Sequence, residues 1–421
     1  EVPPVPMERE FGVVLLGCTG DAGSAIAMCL ARSCMRPSAL RLALAGRSVQ
    51  KLSELRRRMV DAGMPTDSIT LVQADCTSTQ EMEALAARGS LLLSAAGPYE
   101  ALGENVVLAC VRTRTHYADI TGEIHWVAAM RDKYGALAEA SGVCLCSFCG
   151  YDCIPTELSM HACARALAPG ERLVRVECVN KMASGGLPHG TAMTLLGMCT
   201  LGGSARMGLG ARGFLPVSER LATLGSLARW ALLPISWSSD LSSLVVPHGM
   251  GLLTTIVAHG SARKGGFGGL SFVDRQSMPF ASTGSMVNLW GLLPICAAAC
   301  AAALFALPMV LWFTFASFIP GSLRVASRLL ASYSYPGDEA SEVRVHTSAR
   351  GSRGTRVRAL FVCPGDAGIW CTAKLACETA LAMLEGLDAL PAGFVTPGEF
   401  AGTLITHLQH AGVHLSTKLE R

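Results

Sequence analysis

Three glycines near the start of the chain have the spacing of a dinucleotide-binding loop. An apolar run over residues 11–16 stops at GCTGDAG and gives way to a small-residue helical pattern, which predicts a strand, a tight turn and a helix N-terminus. Gly17 suits the sharp turn, Gly20 lets a pyrophosphate approach the backbone, and Gly23 lets the helix pack closely on the strand. Unpaired N–H groups at the helix start would face the phosphates. The predicted phosphate-binding residues are Gly17, Thr19, Gly20, Ala22 and Gly23.

A guanidinium follows the next apolar run. Residues 40–45 lead into Gly46-Arg47-Ser48, and Lys51 follows one helical turn later. In a doubly wound fold this position meets the adenosine ribose, where an NAD site places a carboxylate. Arg47 and Lys51 would instead attract a ribose 2′-phosphate, so the sequence favours NADP, with NADPH as the reductant. The alternative is that Arg47 is a solvated charge at a strand end.

Two further strands are predicted at regular intervals. One ends at Asp75, where an acid commonly receives the adenine amino group, and the other ends in Ala96-Gly97-Pro98. Ligands bind at the carboxyl ends of the strands of an open parallel sheet, so these positions should converge with Gly20 and Arg47 on one crevice. The alternation of strands and helices predicts an α/β fold with a doubly wound parallel sheet.

Hydride transfer also requires a proton donor where negative charge develops. Tyr99 follows the fourth strand, His116 and Asp119 lie in THYADITGE, and Asp152 follows the apolar segment CLCSF. A tyrosine or histidine can donate a proton, and an acid can hold that donor in place. These four residues are the candidate catalytic group. The alternative for each is a buried, hydrogen-bonded structural role.

Length and composition set the broad class. At 421 residues the chain exceeds the size at which one hydrophobic core usually stops growing, so two domains are expected. Hydrophobic residues make up 50% of the chain and charged residues only 16%, which is more apolar than an ordinary soluble domain. The net charge of +3 and the lack of a dense basic block argue against a nucleic-acid partner.

The chain contains 17 cysteines and no secretory pattern at its start, so reduced thiols are expected. The densest group is Cys144, Cys146, Cys149 and Cys153. A zinc site would need four thiolates around one tetrahedron. Residues 143–148, however, read as a buried strand whose alternate side chains point in opposite directions. We therefore expect buried thiols and no metal site.

A long segment lacks charge altogether. No charged residue occurs over residues 276–323, and residues 289–319 would extend about 46 Å as one helix, against about 30 Å for a bilayer core. Pro294 and Pro308 favour breaks in that helix. The segment favours contact with a membrane or lipid surface, by spanning it or by lying on it. The alternative is a hydrophobic helical pair buried in the second domain or at a homodimer interface.

The pattern changes beyond residue 155. Residues 173–182, 341–351 and 355–363 alternate as half-exposed strands, which predicts an antiparallel sheet in an α+β domain. Residues 369–387 read as a helix. The predicted parts are a dinucleotide-binding domain over residues 1–154, a substrate or dimerisation domain over 155–364 that includes the apolar segment 289–319, and a C-terminal helical part over 365–421.

Six motifs carry a resemblance to the saccharopine dehydrogenase-like oxidoreductases, a family that includes the trans-acting enoyl reductases. They are GCTGDAG, AGRSVQKL, SAAGPYEALGENVVLACVRTRTHYADITGE, FCGYDCIPTEL, PGDAGIWCTAKLACETALAML and GFVTPGEFAGTLITHLQHAGV. The resemblance implies an N-terminal Rossmann domain, a mixed α/β domain and a last long helix that returns to the first domain. Two positions depart from the family pattern, since Arg114 stands where a glycine is expected and Cys153 where a serine is usual.

The resemblance also implies an NADP-dependent oxidoreductase. Saccharopine dehydrogenases act at an imine or amine carbon, whereas the enoyl reductase branch reduces carbon–carbon double bonds in glycolipid assembly. Animal relatives are associated with lipid droplets, mitochondria and membranes. The apolar segment makes this chain more similar to the lipid-linked branch. Two alternatives stay open: an imine or amino-acid reductase, and a non-catalytic lipid-surface protein that retains the nucleotide-binding fold.

Overall fold

The computed structural model describes residues 9–33, 40–182, 217–232, 235–238, 243–277 and 337–420, together with residues 215, 241 and 335. The apolar segment 289–319 lies outside the described residues, so the membrane contact stays a prediction. The described residues form two sheets with helices packed around them.

The first sheet is parallel throughout. It contains β1 (Phe11–Leu16), β2 (Leu42–Gly46), β3 (Ile69–Gln73), β4 (Gly89–Ser94), β5 (His116–Asp119), β6 (Cys144–Cys146) and β13 (Gly393–Val395). Their order is β13-β6-β5-β4-β1-β2-β3. The chain runs outward from β1 to β3 and returns on the other side at β4, so a ligand crevice is expected at the carboxyl ends of β1 and β4. The predicted doubly wound sheet is confirmed.

Helices cover both faces of this sheet, which explains why its central strands are continuous apolar runs. They are α1 (Asp21–Ser33), α2 (Val49–Asp61), α3 (Thr79–Ala86), α4 (Tyr99–Leu102), α5 (Glu104–Thr113) and α6 (Ile124–Ser141). Arg114 ends α5 in the left-handed region, with φ 55°. That conformation favours glycine, which accounts for the glycine expected at this position.

The second sheet is mixed. It contains β7 (Leu173–Met182), β8 (Ser236–Ser238), β9 (Ser243–Pro247), β10 (Ser271–Ser277), β11 (Glu342–Gly351), β12 (Arg356–Pro364) and β14 (His414–Glu420). Their order is β14-β12-β11-β7-β10-β9-β8. Strands β7, β11 and β12 are predicted from the sequence, and β11 pairs antiparallel with both β7 and β12. The antiparallel arrangement predicted for these strands is confirmed, and the same sheet also contains β10, which pairs parallel with β7.

Helices α7 (Ile154–Ala166), α8 (Val217–Leu232) and α9 (Gly251–Lys264) belong to the second half of the chain. A π-helical turn, Ala367–Cys371, leads into α10 (Thr372–Glu385), and α11 (Ala401–His410) precedes β14. Helix α10 packs on α1, β4 and β5, which confirms the expected return to the first domain. Among the described residues, the stretch Ala367–Glu385 is long and apolar enough to cross a bilayer, but its apolar window is 72% buried, as in a core helix.

Candidate cofactor-binding and active site

The glycine loop between β1 and α1 is shaped as a cradle. Gly17 has φ +79°, and a Cβ there would lie 2.7 Å from the Ala96 backbone nitrogen. A Cβ on Gly23 would lie 2.1 Å from the Gly17 carbonyl oxygen. Gly20 is exposed and its Cβ would meet only that oxygen, at 3.6 Å. Gly17 and Gly23 are therefore required by packing, whereas Gly20 leaves open surface where a phosphate can approach.

An unsatisfied polar atom lies at the same helix start. The Oδ2 of Asp21 is buried and has no hydrogen-bond partner among the described residues. Thr19 and Ala22 flank Gly20 and Asp21 and are half-buried. A buried acceptor without a partner is the kind of atom that a bound ligand or water satisfies. The cradle and this atom together fit a dinucleotide.

Arg47 follows β2 directly and its side chain is exposed at that carboxyl end. Its backbone is held on both sides, because its carbonyl accepts from Gln73 Nε2 at 3.2 Å and Ser48 caps α2 by accepting from Lys51 N at 3.3 Å. The structure thus brings the Arg47 and Lys51 side chains to the solvent face of one turn. This is the edge that the sequence assigned to the ribose 2′-phosphate.

Asp75 lies beyond the end of β3, next to the end of β2. Its Oδ1 accepts from the backbone and the hydroxyl of Thr77, each at 2.9 Å. These hydrogen bonds lower the pKa of the Asp75 carboxyl, and the charge of Arg47 contributes further. Asp75 is therefore held as a carboxylate within the electrostatic reach of Arg47.

Tyr99 ties two strand ends together. Its buried hydroxyl donates to the Ser94 carbonyl at 2.8 Å and accepts from Ile120 N at 3.4 Å. The carboxylate of Glu123 accepts from the backbone N–H groups of Tyr99 and Glu100 at 3.0 and 2.8 Å. Burial raises the pKa of Tyr99 well above its usual value. The phenol is committed to the backbone, and this part of the structure holds Ala96 and Gly97 beside the glycine loop.

The structure separates two residues that the sequence grouped together. His116 opens β5 and Asp119 ends it, so about 10 Å of strand lies between them. His116 Nδ1 accepts from Cys144 N at 3.1 Å, and burial lowers the pKa of its imidazole. His116 is therefore not brought to the carboxyl-end crevice.

Asp119 lies at the crevice end of β5 and is fully buried. Its Oδ1 accepts from Thr121 N at 3.0 Å and Phe148 N at 3.3 Å, and its Oδ2 accepts from the Ser147 hydroxyl at 3.0 Å. Burial raises the pKa of Asp119 to about 6 although these donors oppose the shift. The carboxyl joins the ends of β5 and β6.

A buried polar network that the sequence reasoning missed lies near Asp152. His248 Nδ1 lies 2.8 Å from Asp274 Oδ2, and the hydroxyl of Thr254 donates to the same oxygen at 2.7 Å. Asn180 Nδ2 donates to Asp274 Oδ1 at 2.6 Å. Both His248 and Asp274 are buried. Histidine and carboxylate thus form an oriented pair of the kind used in general acid–base chemistry.

The network reaches the first domain through the segment that follows β6. Tyr151 donates its hydroxyl to Asn180 Oδ1 at 3.0 Å, and its ring meets His248 edge-on at 6.1 Å. A Cβ on Gly122, in the loop after β5, would lie 3.7 Å from Asp152 Oδ2. Asp152 therefore stands between the carboxyl end of β5 and the His248–Asp274 pair.

Electrostatics favour a charged imidazole in this network. Burial lowers the pKa of His248, but the charge and hydrogen bond of Asp274, with the charge of Asp152, outweigh it and leave that pKa raised. Burial raises the pKa of Asp152, and His248 opposes that shift. The group can therefore hold a proton close to the crevice. The sequence signal that could have indicated it was the adjacent charged pair Asp274-Arg275 within strand β10.

The cysteine cluster is buried, and burial raises the thiol pKa values of Cys144, Cys146 and Cys153. Cys149 Sγ lies 3.5 Å from Cys146 Sγ and donates to the Cys146 carbonyl at 3.4 Å. Within the described ranges, no group of three or more His, Cys, Asp or Glu residues could hold a metal ion. These thiols act as small apolar core residues.

Comparison with known proteins adds a family. Residues 13–145 match the saccharopine dehydrogenase NADP binding domain, and this region contains the glycine loop, Arg47 and Asp75. The trans-acting enoyl reductase of Mycobacterium leprae is 37% identical over 156 residues, which cover 37% of this chain and 36% of that protein. Its Mycobacterium tuberculosis counterpart is 38% identical over the same length and the same shares. The chain thus spans about a third of the length of these curated relatives.

A solved structure matches the whole architecture. Saccharopine dehydrogenase (L-Glu forming) from Saccharomyces cerevisiae superimposes with a TM-score of 0.56, covering 98% of this chain and 100% of that one. The sequence identity is 13%, so the likeness concerns the fold alone. It shows that a doubly wound domain, a second sheet domain and a returning C-terminal helix form one recurring arrangement.

Proposed function

We propose that this chain, whose residues 13–145 match the saccharopine dehydrogenase NADP binding domain, is an NADPH-dependent reductase of a lipid-linked or otherwise apolar substrate. The observation that carries the proposal is the open cradle at Gly20 with Arg47 at the neighbouring strand end. A carbon–carbon double bond conjugated to a thioester is the proposed reacting group, because the related mycobacterial proteins are named enoyl reductases.

The cofactor would be held by the backbone of residues 17–23, by Arg47 and Lys51 at the ribose phosphate, and by Asp75 at the adenine. Bound NADPH supplies a hydride to the acceptor carbon. The protein must then supply a proton to the adjacent carbon, where negative charge develops. We assign the supply of this proton to the buried group of His248, Asp274 and Asp152. Asp119 and Tyr99 are positioning residues that fix the strand ends.

The apolar nature of the substrate is inferred from the chain itself. Residues 276–323 contain no charge, which favours a substrate that is apolar over most of its length. We propose that this segment brings the enzyme to a membrane or lipid-droplet surface, where such substrates reside.

One experiment tests the reductase. Oxidation of NADPH and NADH by the purified chain is followed with trans-2-enoyl thioesters of coenzyme A and, separately, with 2-oxoglutarate plus an amine. We expect NADPH oxidation with the thioesters, and about a tenfold or greater loss of NADPH affinity in Arg47→Ala, because a hydrogen bond to a charged group is lost. The matched control is Arg56→Ala, an exposed arginine on α2.

Three results would count against the proposal. Equal weakening of NADPH and NADH binding in Arg47→Ala would remove the 2′-phosphate argument. Reduction of the imine mixture alone would favour an amino-acid reductase. NADPH binding without oxidation by any thioester or cellular lipid extract would favour a non-catalytic lipid-surface protein.

The surface association has its own test. Flotation with phospholipid vesicles and with triglyceride droplets compares the intact chain with one lacking residues 289–319. We expect the intact chain to float and the shortened chain to stay behind, because the apolar area in contact with lipid is removed. Identical partitioning, with NADPH binding retained in both, would indicate that the segment is buried.

A further inference from the structure

A second cavity opens on the far side of the crevice, at the carboxyl ends of β6 and β13. Its volume is about 530 Å³, within the range of small-molecule sites. Three strand spacings, about 14 Å, separate β6 from β1, so the cavity lies at the same edge of the sheet as the glycine loop. Helices α6, α8 and α9 provide its other walls.

One wall of the cavity is apolar and built on a fixed backbone. Val127, Phe148 and Phe394 line it. Phe148 has φ +68°, a region that bulky residues rarely adopt, and its N–H donates to Asp119 Oδ1 at 3.3 Å. The buried carboxyl at the end of β5 thus holds the ring that forms this wall.

The lining is also cationic. Arg131, Arg220, Arg263 and Lys264 line the cavity together with one carboxylate, Glu399. Lys264 is engaged, since its Nζ lies 2.7 Å from Glu399 Oε1 and donates to the Phe394 carbonyl at 2.9 Å. The guanidinium of Arg263 has no hydrogen bond or ion pair to any part of the chain that the structure describes. The lining therefore carries an excess of positive charge beside an apolar surface.

The apolar surface continues from the cavity to the outside. Val217, which lines the cavity, is 72% exposed, and Leu221 and Leu224 on the same face of α8 are 81% and 61% exposed. Apolar residues at this helical spacing form one stripe. An acyl chain lying along this stripe would stay in contact with apolar side chains from a lipid surface to the cavity.

We propose that this cavity binds an amphiphile composed of an acyl chain and an anionic head, with the chain against Phe148 and Phe394 and the head at Arg263. The chemistry is shared by a carboxylate and a phosphate ester. The assignment of this ligand as the substrate rests on the proposed reductase function. Binding itself requires neither NADPH nor turnover, so the two can fail separately.

The test measures binding of dodecanoate, lysophosphatidic acid and neutral monoacylglycerol to the full chain by calorimetry without NADPH. We expect at least one of the two anions, dodecanoate or lysophosphatidic acid, to bind, and its affinity to fall at high salt. Monoacylglycerol should bind at least tenfold more weakly than that anion. Arg263→Ala should weaken anion binding about tenfold, and Arg263→Lys should recover part of it. The matched control is Arg356→Ala on β12, which is exposed and remote from the cavity.

A photoreactive fatty acid provides a second readout that does not depend on variants. Labelling of peptides from α6, α8 and α9 supports the site. Labelling confined to other peptides, equal binding of monoacylglycerol, or unchanged binding in Arg263→Ala would each overturn it. If the anions bind while no enoyl thioester is reduced, the proposed ligand site is supported and the proposed reductase function is contradicted.

Discussion

At the scale of single residues, the crevice contains two kinds of polar group. The Tyr99 hydroxyl donates to the Ser94 carbonyl, and the Asp119 carboxylate accepts from the backbone of Thr121 and Phe148, so both residues fix the shape of the site. His248 and Asp274 bond mainly to one another and to side chains, and the proposed reaction would take its proton from the His248 imidazole. Structural and chemical roles thus fall on different residues of one small region.

Asp119 gives a pH-dependent prediction. Its carboxyl has a pKa raised to about 6 in the folded protein, against about 3.9 in an unfolded chain. As the pH rises from 4 to 7, the unfolded chain releases this proton first, so the wild-type free energy of unfolding should fall by about 2 kcal/mol relative to Asp119→Asn. Urea unfolding of both proteins across this range measures the difference. A difference that is constant with pH would contradict the prediction.

The residues of the site differ in how readily sequence reveals them. The glycine loop and Arg47 follow directly from strand ends that are close in sequence, and their placement needs only the doubly wound pattern. His248 and Asp274 lie about a hundred residues beyond Asp152 and reach it only through the pairing of β10 with β7. His116 shows the opposite case, because a residue three positions from Asp119 is carried to the other end of the same strand.

At the scale of elements, the turn from β1 to α1 depends on close packing of backbone. The clash that a Cβ on Gly23 would make is with a carbonyl oxygen of the same loop, which cannot rotate away as a side chain could. The open side of the loop, at Gly20, has no such constraint. Fold and ligand binding are therefore separable by mutation at two glycines three positions apart.

We expect Gly23→Ala to lose about 1–3 kcal/mol of stability and NADPH binding with it. Gly20→Ala should cost less than about 1 kcal/mol of stability: glycine is preferred to alanine at a helix start, but the added Cβ would meet only the Gly17 carbonyl oxygen, at 3.6 Å. It should still weaken NADPH binding, because the methyl group occupies the approach of the pyrophosphate. Thermal unfolding and fluorescence titration with NADPH distinguish the two variants. Equal losses of stability in both would show that Gly20 is also required for packing.

The element pattern explains what was predictable about the fold. Continuous apolar runs, such as β1, predict strands that are buried on both faces of a parallel sheet. The alternation of apolar and polar residues in β11 and β12 predicts a sheet with one solvated face. The parallel pairing of β10 with β7 could not be predicted from the sequence. The position of β10 in the sheet depends on its tertiary packing against α8 and α9. The three-residue strand β13 is too short to carry a periodic signal of its own.

At the scale of the whole molecule, the end of the chain binds its two sheets together. Strand β13 pairs with β6 in the first sheet, and β14 pairs with β12 in the second. Ahead of both strands in the chain, α10 packs on α1, and its first residue, Thr372, accepts a hydrogen bond from Tyr151 N at 3.2 Å. The first sheet is therefore complete only when the last segment of the chain has returned to it.

This dependence predicts that a chain ending at Pro364 fails to bind NADPH and unfolds without a cooperative transition, because the apolar faces that α10 covers on α1, β4 and β5 become exposed. A chain ending at Gly412 lacks only β14, an edge strand that is largely exposed. It should keep NADPH binding and lose only part of its stability. Calorimetric unfolding with and without NADPH measures both, since a bound ligand raises the transition temperature of the unit that contains its site. Wild-type affinity for NADPH in the chain ending at Pro364 would show that the first sheet folds alone.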